Sequence, residues 1–260
     1  MRFSLAVLTL LIAAPAALVG QNSPRASAAS TLVRVPFVGC ASDGQVGAIK
    51  APYAPNKTVP ISAQAAQRLA YYKAEDGFGV LAPRGWHCFG TYGSNGASLY
   101  VSPDPINGAQ LLSTTWKGFA GPAIQVSSSI GDTSGRFEVA KIIARVFPAY
   151  KQFVENVVAE GIEPASSFPF GAFPQDQLTY RSKRIVEFKT PANADGLGTA
   201  SWLLRNGHPI SGLAILYGEE PNLMQISLRL TPDTVDLAPV ILHEIERDAA
   251  RLDTADQSQK

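Results

Sequence analysis

The sequence predicts an α+β fold: a mainly antiparallel β-sheet packed against helices, preceded by an extended N-terminal arm. Two observations point there. Short segments rich in β-formers are separated by tight Gly, Pro and Asn turns, which join consecutive strands antiparallel. Two other segments, Arg136 to Glu160 and the stretch after Thr231, carry apolar residues at three- and four-residue spacing. Composition is uniform over residues 62–252 and no linker interrupts it, so that stretch reads as one domain.

The first 28 residues read as an export signal. Arg2 gives a positive start, Leu5 to Val19 is an apolar run, and Ala26-Ser27-Ala28 offers the small-x-small pattern of a cleavage site, with a second possible cut after Gly20. The run, at about 15 residues, falls short of the roughly 20 that span a bilayer. No later run approaches that length, so no membrane span is expected after cleavage, and the chain is expected to be secreted or periplasmic. Removing Arg2 and Arg25 takes the net charge from +1 to −1. Such a balance supplies no basic surface for nucleic acid. Charged residues make up 17% of the 260, below the globular average of about 25%.

Export sets the redox state. Cys40 and Cys88 are the only two cysteines, and in an oxidising compartment they read as one disulfide. Closing a loop of about 48 residues stabilises by about 4 kcal/mol in the chain-entropy picture.

Residues 29–61 are punctuated by Pro36, Pro52, Pro55 and Pro60, so an extended arm with little regular structure is expected. Ser62 caps a helix expected from Ala63 to about Lys73. Phe78 to Leu81, His87 to Tyr92 and Ala97 to Ser102 read as strands, with turns at Pro83-Arg84-Gly85 and Gly93-Ser94-Asn95-Gly96; Ala123 to Ser129 is another strand. Val139, Ile142, Ile143, Val146, Val154 and Val157 mark a core-facing helix that Pro148 should kink or split and Gly161 should end. Leu178 to Thr190 alternates at its ends. Asn206-Gly207 signals a hairpin joining Ser201 to Arg205 with Ile210 to Tyr217. Met224, Ile226, Leu228 and Leu230 alternate with Gln225, Ser227 and Arg229, as in a strand with one face buried and one wet. Thr231-Pro232-Asp233 opens the last helix. Residues 253–260 read as a disordered tail.

The run Asp76-Gly77-Phe78-Gly79-Val80-Leu81-Ala82-Pro83-Arg84-Gly85-Trp86 resembles the opening hairpin of PsbP-like proteins, and Gly212 to Arg247 resembles their closing strand–strand–helix. That resemblance implies a sheet between helices and carries no shared catalytic residues. The arm with Cys40, the His87-Cys88 pair and residues 103–135 depart from the pattern. Gly85 to Gly96 also resembles a family of uncharacterised secreted bacterial proteins, which implies no activity.

Catalytic signatures fail one by one. His243-Glu244 lacks the second histidine of a zinc-protease helix. His208 reads as a solvated turn residue. Gly131-Asp132-Thr133-Ser134-Gly135 has its serine out of register with a serine-protease motif, and the G-x-S-x-G elbow is missing. No phosphate loop, dinucleotide fingerprint or calcium loop occurs, so no cofactor and no metal is expected. Trp86, His87, Tyr92, Ser94 and Asn95 remain as candidate ligand-binding residues, an aromatic wall with polar groups and glycine turns. Trp116 and Trp202 read as core or rim packing. The favoured reading is a non-enzymatic protein that binds an envelope protein or a small ligand. The alternative is an envelope hydrolase using Cys88 or a His/acid pair.

Overall fold

The computed structural model describes residues 31–257; the export signal expected over residues 1–28 lies outside them. In chain order the elements are β1 (Thr31–Val35), β2 (Phe37–Gly39), β3 (Ser42–Gly44), β4 (Lys57–Ile61), α1 (Ala63–Arg68), β5 (Leu69–Lys73), β6 (Val80–Pro83), β7 (His87–Gly93), β8 (Gly96–Ser102), α2 (Gly108–Leu111), β9 (Ala123–Ser129), α3 (Arg136–Val146), α4 (Lys151–Ala159), β10 (Gln177–Tyr180), β11 (Ile185–Thr190), β12 (Ile210–Tyr217), β13 (Asn222–Arg229) and α5 (Ala238–Gln257). An eight-stranded sheet in the order β10-β11-β12-β13-β9-β8-β7-β3 dominates, beside a three-stranded sheet β2-β5-β6 and the pair β1-β4. The fold is α+β, as the sequence indicates.

Two local rules act as expected. Ser62 Oγ accepts from the Ala65 amide at 3.1 Å and starts α1. Pro148 splits the long helical segment: α3 ends at Val146, Pro148–Tyr150 form one 3-10 turn, and α4 resumes at Lys151. Gly161, at φ +70°, then ends α4 in the left-handed region.

The central sheet has two covered faces. On one, Leu99, Val101, Ile124, Val126, Ile226 and Leu228 pack against α5 and the small sheets. On the other, Ala214, Leu216, Leu223, Val186 and Phe188 pack against α3 and α4. The apolar packing of that second layer is on the β11–β12 side of the sheet, and the polar residues of β8 and β9 are left to the groove described below.

Five expectations need correction. The sheets are mixed, because β3 pairs parallel to β7 and β2 parallel to β5. The arm is not structureless: residues 31–61 contribute four strands, of which β1 and β4 pair with each other while β2 and β3 pair with β5 and β7 of the body. Its prolines are accommodated because Pro36 falls between β1 and β2, while Pro60 sits in β4, which pairs only with β1 and so has one open edge. The helix expected to reach Lys73 ends at Arg68. Leu69–Lys73 is a strand instead, since Tyr71 and Tyr72 pair with Phe37 and Val38 on one side and with Leu81 and Val80 on the other. Residues 201–205 form no strand; only an isolated parallel bridge links Leu203 to Phe119. The last helix begins at Ala238, after a 3-10 turn at Val235–Leu237, and runs to Gln257 through part of the segment read as a tail.

Cys40 and Cys88 form a disulfide, with Cα atoms 5.4 Å apart. It anchors β3 to the outer edge of β7, where Gly90 N–H also donates to Ala41 O at 2.8 Å. A three-residue parallel pairing has little cohesion of its own, and the bridge holds it in register.

Candidate functional site

Strand alternation sends every second residue of β7, β8, β9 and β13 to the face that α3 only partly covers. Register then aligns those residues in rows. Thr91, Ser98, Ser127 and Gln225 stand side by side across four strands. The next row runs Phe89, Tyr100, Gln125, Ser227. Hydroxyls and amides therefore pave the middle of a sheet face whose continuation on β12 is apolar Ala214 and Leu216. This paving is the floor of a groove of about 740 Å³, within the range of small-molecule sites.

One wall is the exposed side of α3, with Glu138, Lys141 and Ile142; the other is Ala200-Ser201-Trp202. Tyr92, Asn95 and Gly96 form the rim. Gly96 is required there: at φ +140° a side chain is strained, and a Cβ would lie 1.9 Å from Ser128 O.

The Trp202 wall is held by a buried cation. Arg229, 2% exposed, donates to Gly121 O at 3.0 and 2.7 Å, to Phe119 O at 2.7 Å and to Leu204 O at 2.6 Å. The 119 and 202–204 segments also bond each other, Phe119 N–H to Trp202 O at 2.7 Å and Leu204 N–H to Phe119 O at 2.9 Å. Burial lowers the guanidinium pKa, yet arginine stays protonated in proteins. Its charge is spread over carbonyl dipoles. Trp202 in turn leans on Trp116 at a ring separation of 5.0 Å, and Trp116 meets Phe119 edge-on at 5.2 Å. Trp202 itself is 45% exposed, a rim position backed by Trp116 that also forms the groove wall.

The floor is only partly satisfied. Ser98 Oγ donates to Ser127 Oγ at 3.0 Å, and Gln125 Nε2 donates to the same oxygen at 2.7 Å. Gln125 Oε1 accepts from the Trp202 amide at 2.7 Å, coupling floor to wall. Gln225 Nε2 donates to Leu197 O at 3.1 Å. Ser227 is 1% exposed and its Oγ has no hydrogen-bond partner among the described residues. Burial raises the Tyr100 phenol, and contacts with Thr91, Ser98 and Trp202 work against that rise. Burial alone would lower the Lys141 ammonium, but Glu138 and Glu163 outweigh it and leave it raised. Lys141 pairs with Glu138 at 2.8 Å and with Glu163 at 3.4 Å, so the one cation on the wall is already shared between two carboxylates.

The five residues singled out from the sequence separate. Tyr92 and Asn95 stand on the groove rim. Ser94 is exposed in the turn, its N–H donating to Gln45 Oε1 at 2.8 Å. His87 is exposed, and Trp86 packs against the opposite core. The floor residues were missed because Ser and Gln alternating with apolar residues look like an ordinary wet strand face. The available signal was their coincidence on three strands.

Cys88 as a hydrolase nucleophile is ruled out in this state, because its sulfur is bonded to Cys40 and a nucleophile needs a thiolate. His243 faces Glu246 at 4.0 Å on exposed helix surface, and His208 is exposed in its turn. Among the described residues no group of three or more His, Cys, Asp or Glu is placed to hold a metal ion, and no helix is long and apolar enough to cross a membrane.

Comparison with protein-family models, with curated proteins and with solved structures found no match.

Proposed function

We propose that this is an exported, non-enzymatic binding protein that takes a small polar ligand in the groove on its central sheet. The observation that carries the reading is the cross-strand polar row Thr91, Ser98, Ser127 and Gln225, with Ser227 behind it, on the floor of a groove walled by Trp202. Folding gains nothing from burying an unpartnered hydroxyl, which costs about 1–3 kcal/mol. A ligand that bonds to the floor gives those groups a use. Export is supported by the Cys40–Cys88 bridge, which suits an oxidising compartment, and by the leader pattern of Arg2, Leu5 to Val19 and Ala26-Ser27-Ala28. The large sheet between α3/α4 and α5 supports a PsbP-like scaffold.

A thermal-shift panel of sugars, amino acids, dicarboxylates, nucleosides and short peptides tests the reading on the purified protein. A ligand at a hundred times its Kd stabilises by about 2.7 kcal/mol, an easily measured rise in Tm. The expected result is a shift with one chemical class that Gln225→Met diminishes. No shift from any class, or a shift indifferent to Gln225→Met and Trp202→Ala, overturns it.

A further inference from the structure

We infer that the groove takes an uncharged saccharide, with Trp202 as the stacking wall and the Ser127–Gln225 row as the hydroxyl reader; this rests on the groove being the binding site. The argument begins with charge. Among the described residues the only charged ones lining the groove are Glu138 and Lys141, which are paired with each other, Lys141 being held by Glu163 as well. A charged ligand would have to part them or be buried without a counter-charge, and either is costly. A neutral ligand meets neither obstacle.

The free valences come next. Ser127 Oγ already accepts from Ser98 and Gln125, so its own proton is left to donate. Gln225 spends an amide proton on Leu197 O and keeps its carbonyl oxygen as an acceptor. Ser227 Oγ has both capacities. The floor thus presents donors and acceptors mixed, at strand steps of about 4.8 Å, comparable to the span of a sugar ring. Vicinal hydroxyls, each both donor and acceptor, are the ligand groups that match such a mixture.

The wall supplies the other half. A sugar ring has an apolar C–H face as well as polar edges, and an exposed, rigidly backed indole is suited to cover it. Trp202 has that exposure and that backing, and Ile142 lies on the opposite wall. A peptide fits less well. Extended peptides are captured by adding to a free strand edge, whereas the floor strands β8, β9 and β13 are each paired on both sides.

The test is calorimetric titration with glucose, maltose, cellobiose, trehalose and N-acetylglucosamine oligomers, run beside glutamate, succinate and dialanine. Trp202→Ala and Gln225→Met are compared with the unchanged protein, circular dichroism confirming that each folds; Trp202→Phe replaces Trp202→Ala if the latter does not. Supporting the inference are a neutral saccharide that binds and quenches or shifts tryptophan emission, and a loss of at least about tenfold in affinity in each variant, tenfold being 1.4 kcal/mol. Binding of an acid or peptide that the variants abolish, with no saccharide bound, overturns the saccharide assignment and leaves the groove as the site. Saccharide binding unchanged in both variants overturns the assignment of these residues. Silence across the panel overturns the inference together with the reading beneath it.

Discussion

The two faces of strands β8, β9 and β13 are made from alternate residues of the same short segments, yet they behave as different materials. One carries Leu99, Val101, Ile124, Val126, Ile226 and Leu228, sealed under α5 and the small sheets. The other carries Ser98, Gln125, Ser127, Gln225 and Ser227, roofed incompletely by α3 and Trp202. The period of two lets one strand serve stability and recognition without either compromising the other. A helix could not divide the tasks so finely. The apolar face is where the fold resists substitution, and the polar face is where substitutions should change behaviour more than stability.

The largest effect expected from breaking this division is at neighbouring positions of β13. Ile226→Ala should cost roughly 2–5 kcal/mol, since Ile226 is fully buried. Gln225→Ala, one residue away, should cost about 1 kcal/mol or less; urea denaturation of the two variants gives the contrast, and equal losses would abolish it. Next comes Arg229→Met, which takes the guanidinium from the carbonyls of Gly121 and Leu204 and leaves Phe119 O with only the Leu204 amide, but also frees the core of a buried charge. A net loss of roughly 2–3 kcal/mol is expected, with red-shifted tryptophan emission as the Trp202 wall loosens. Ser227→Ala has the opposite sign. Removing an unpartnered hydroxyl should raise Tm by about 2–4 °C in a protein of this size, as should Ser42→Ala, whose Oγ is also buried without a partner among the described residues. Only the Ser227 change should weaken ligand binding.

The smallest effect at neutral pH is in the tyrosines. Burial, then the neighbouring Asp248 carboxylate, raises the Tyr71 phenol, and burial raises Tyr217. A raised folded pKa means the neutral form is favoured in the native state. That contribution is complete below the unfolded value of about 10 and is lost as pH rises beyond it. Alkaline melts should show the loss, and Tyr71→Phe should flatten it.

What the sequence revealed follows the range of the forces involved. β9 and β13 were legible because alternation is local, and the break at Pro148 because a missing donor is local. The turn at Asn206-Gly207 was misleading. Asn206 Nδ2 donates to Ala120 O at 2.7 Å, and Arg229 draws residues 202–204 toward Phe119, so contacts across about a hundred residues override a strong hairpin signal. Leu69–Lys73 likewise became a strand through partners at residues 37–39 and 80–83. The candidate site was half visible: its rim in the glycine turn, its floor hidden in residues that resembled solvated polar positions.

The sulfur bridge also bears on how the molecule must be made. Until Cys40 joins Cys88, the short strand shielding the outer border of β7 is held by a handful of hydrogen bonds, and an unshielded border recruits other chains. Production in a reducing cytoplasm therefore favours clumped material, whereas an oxidising compartment closes the border early and yields dispersed product.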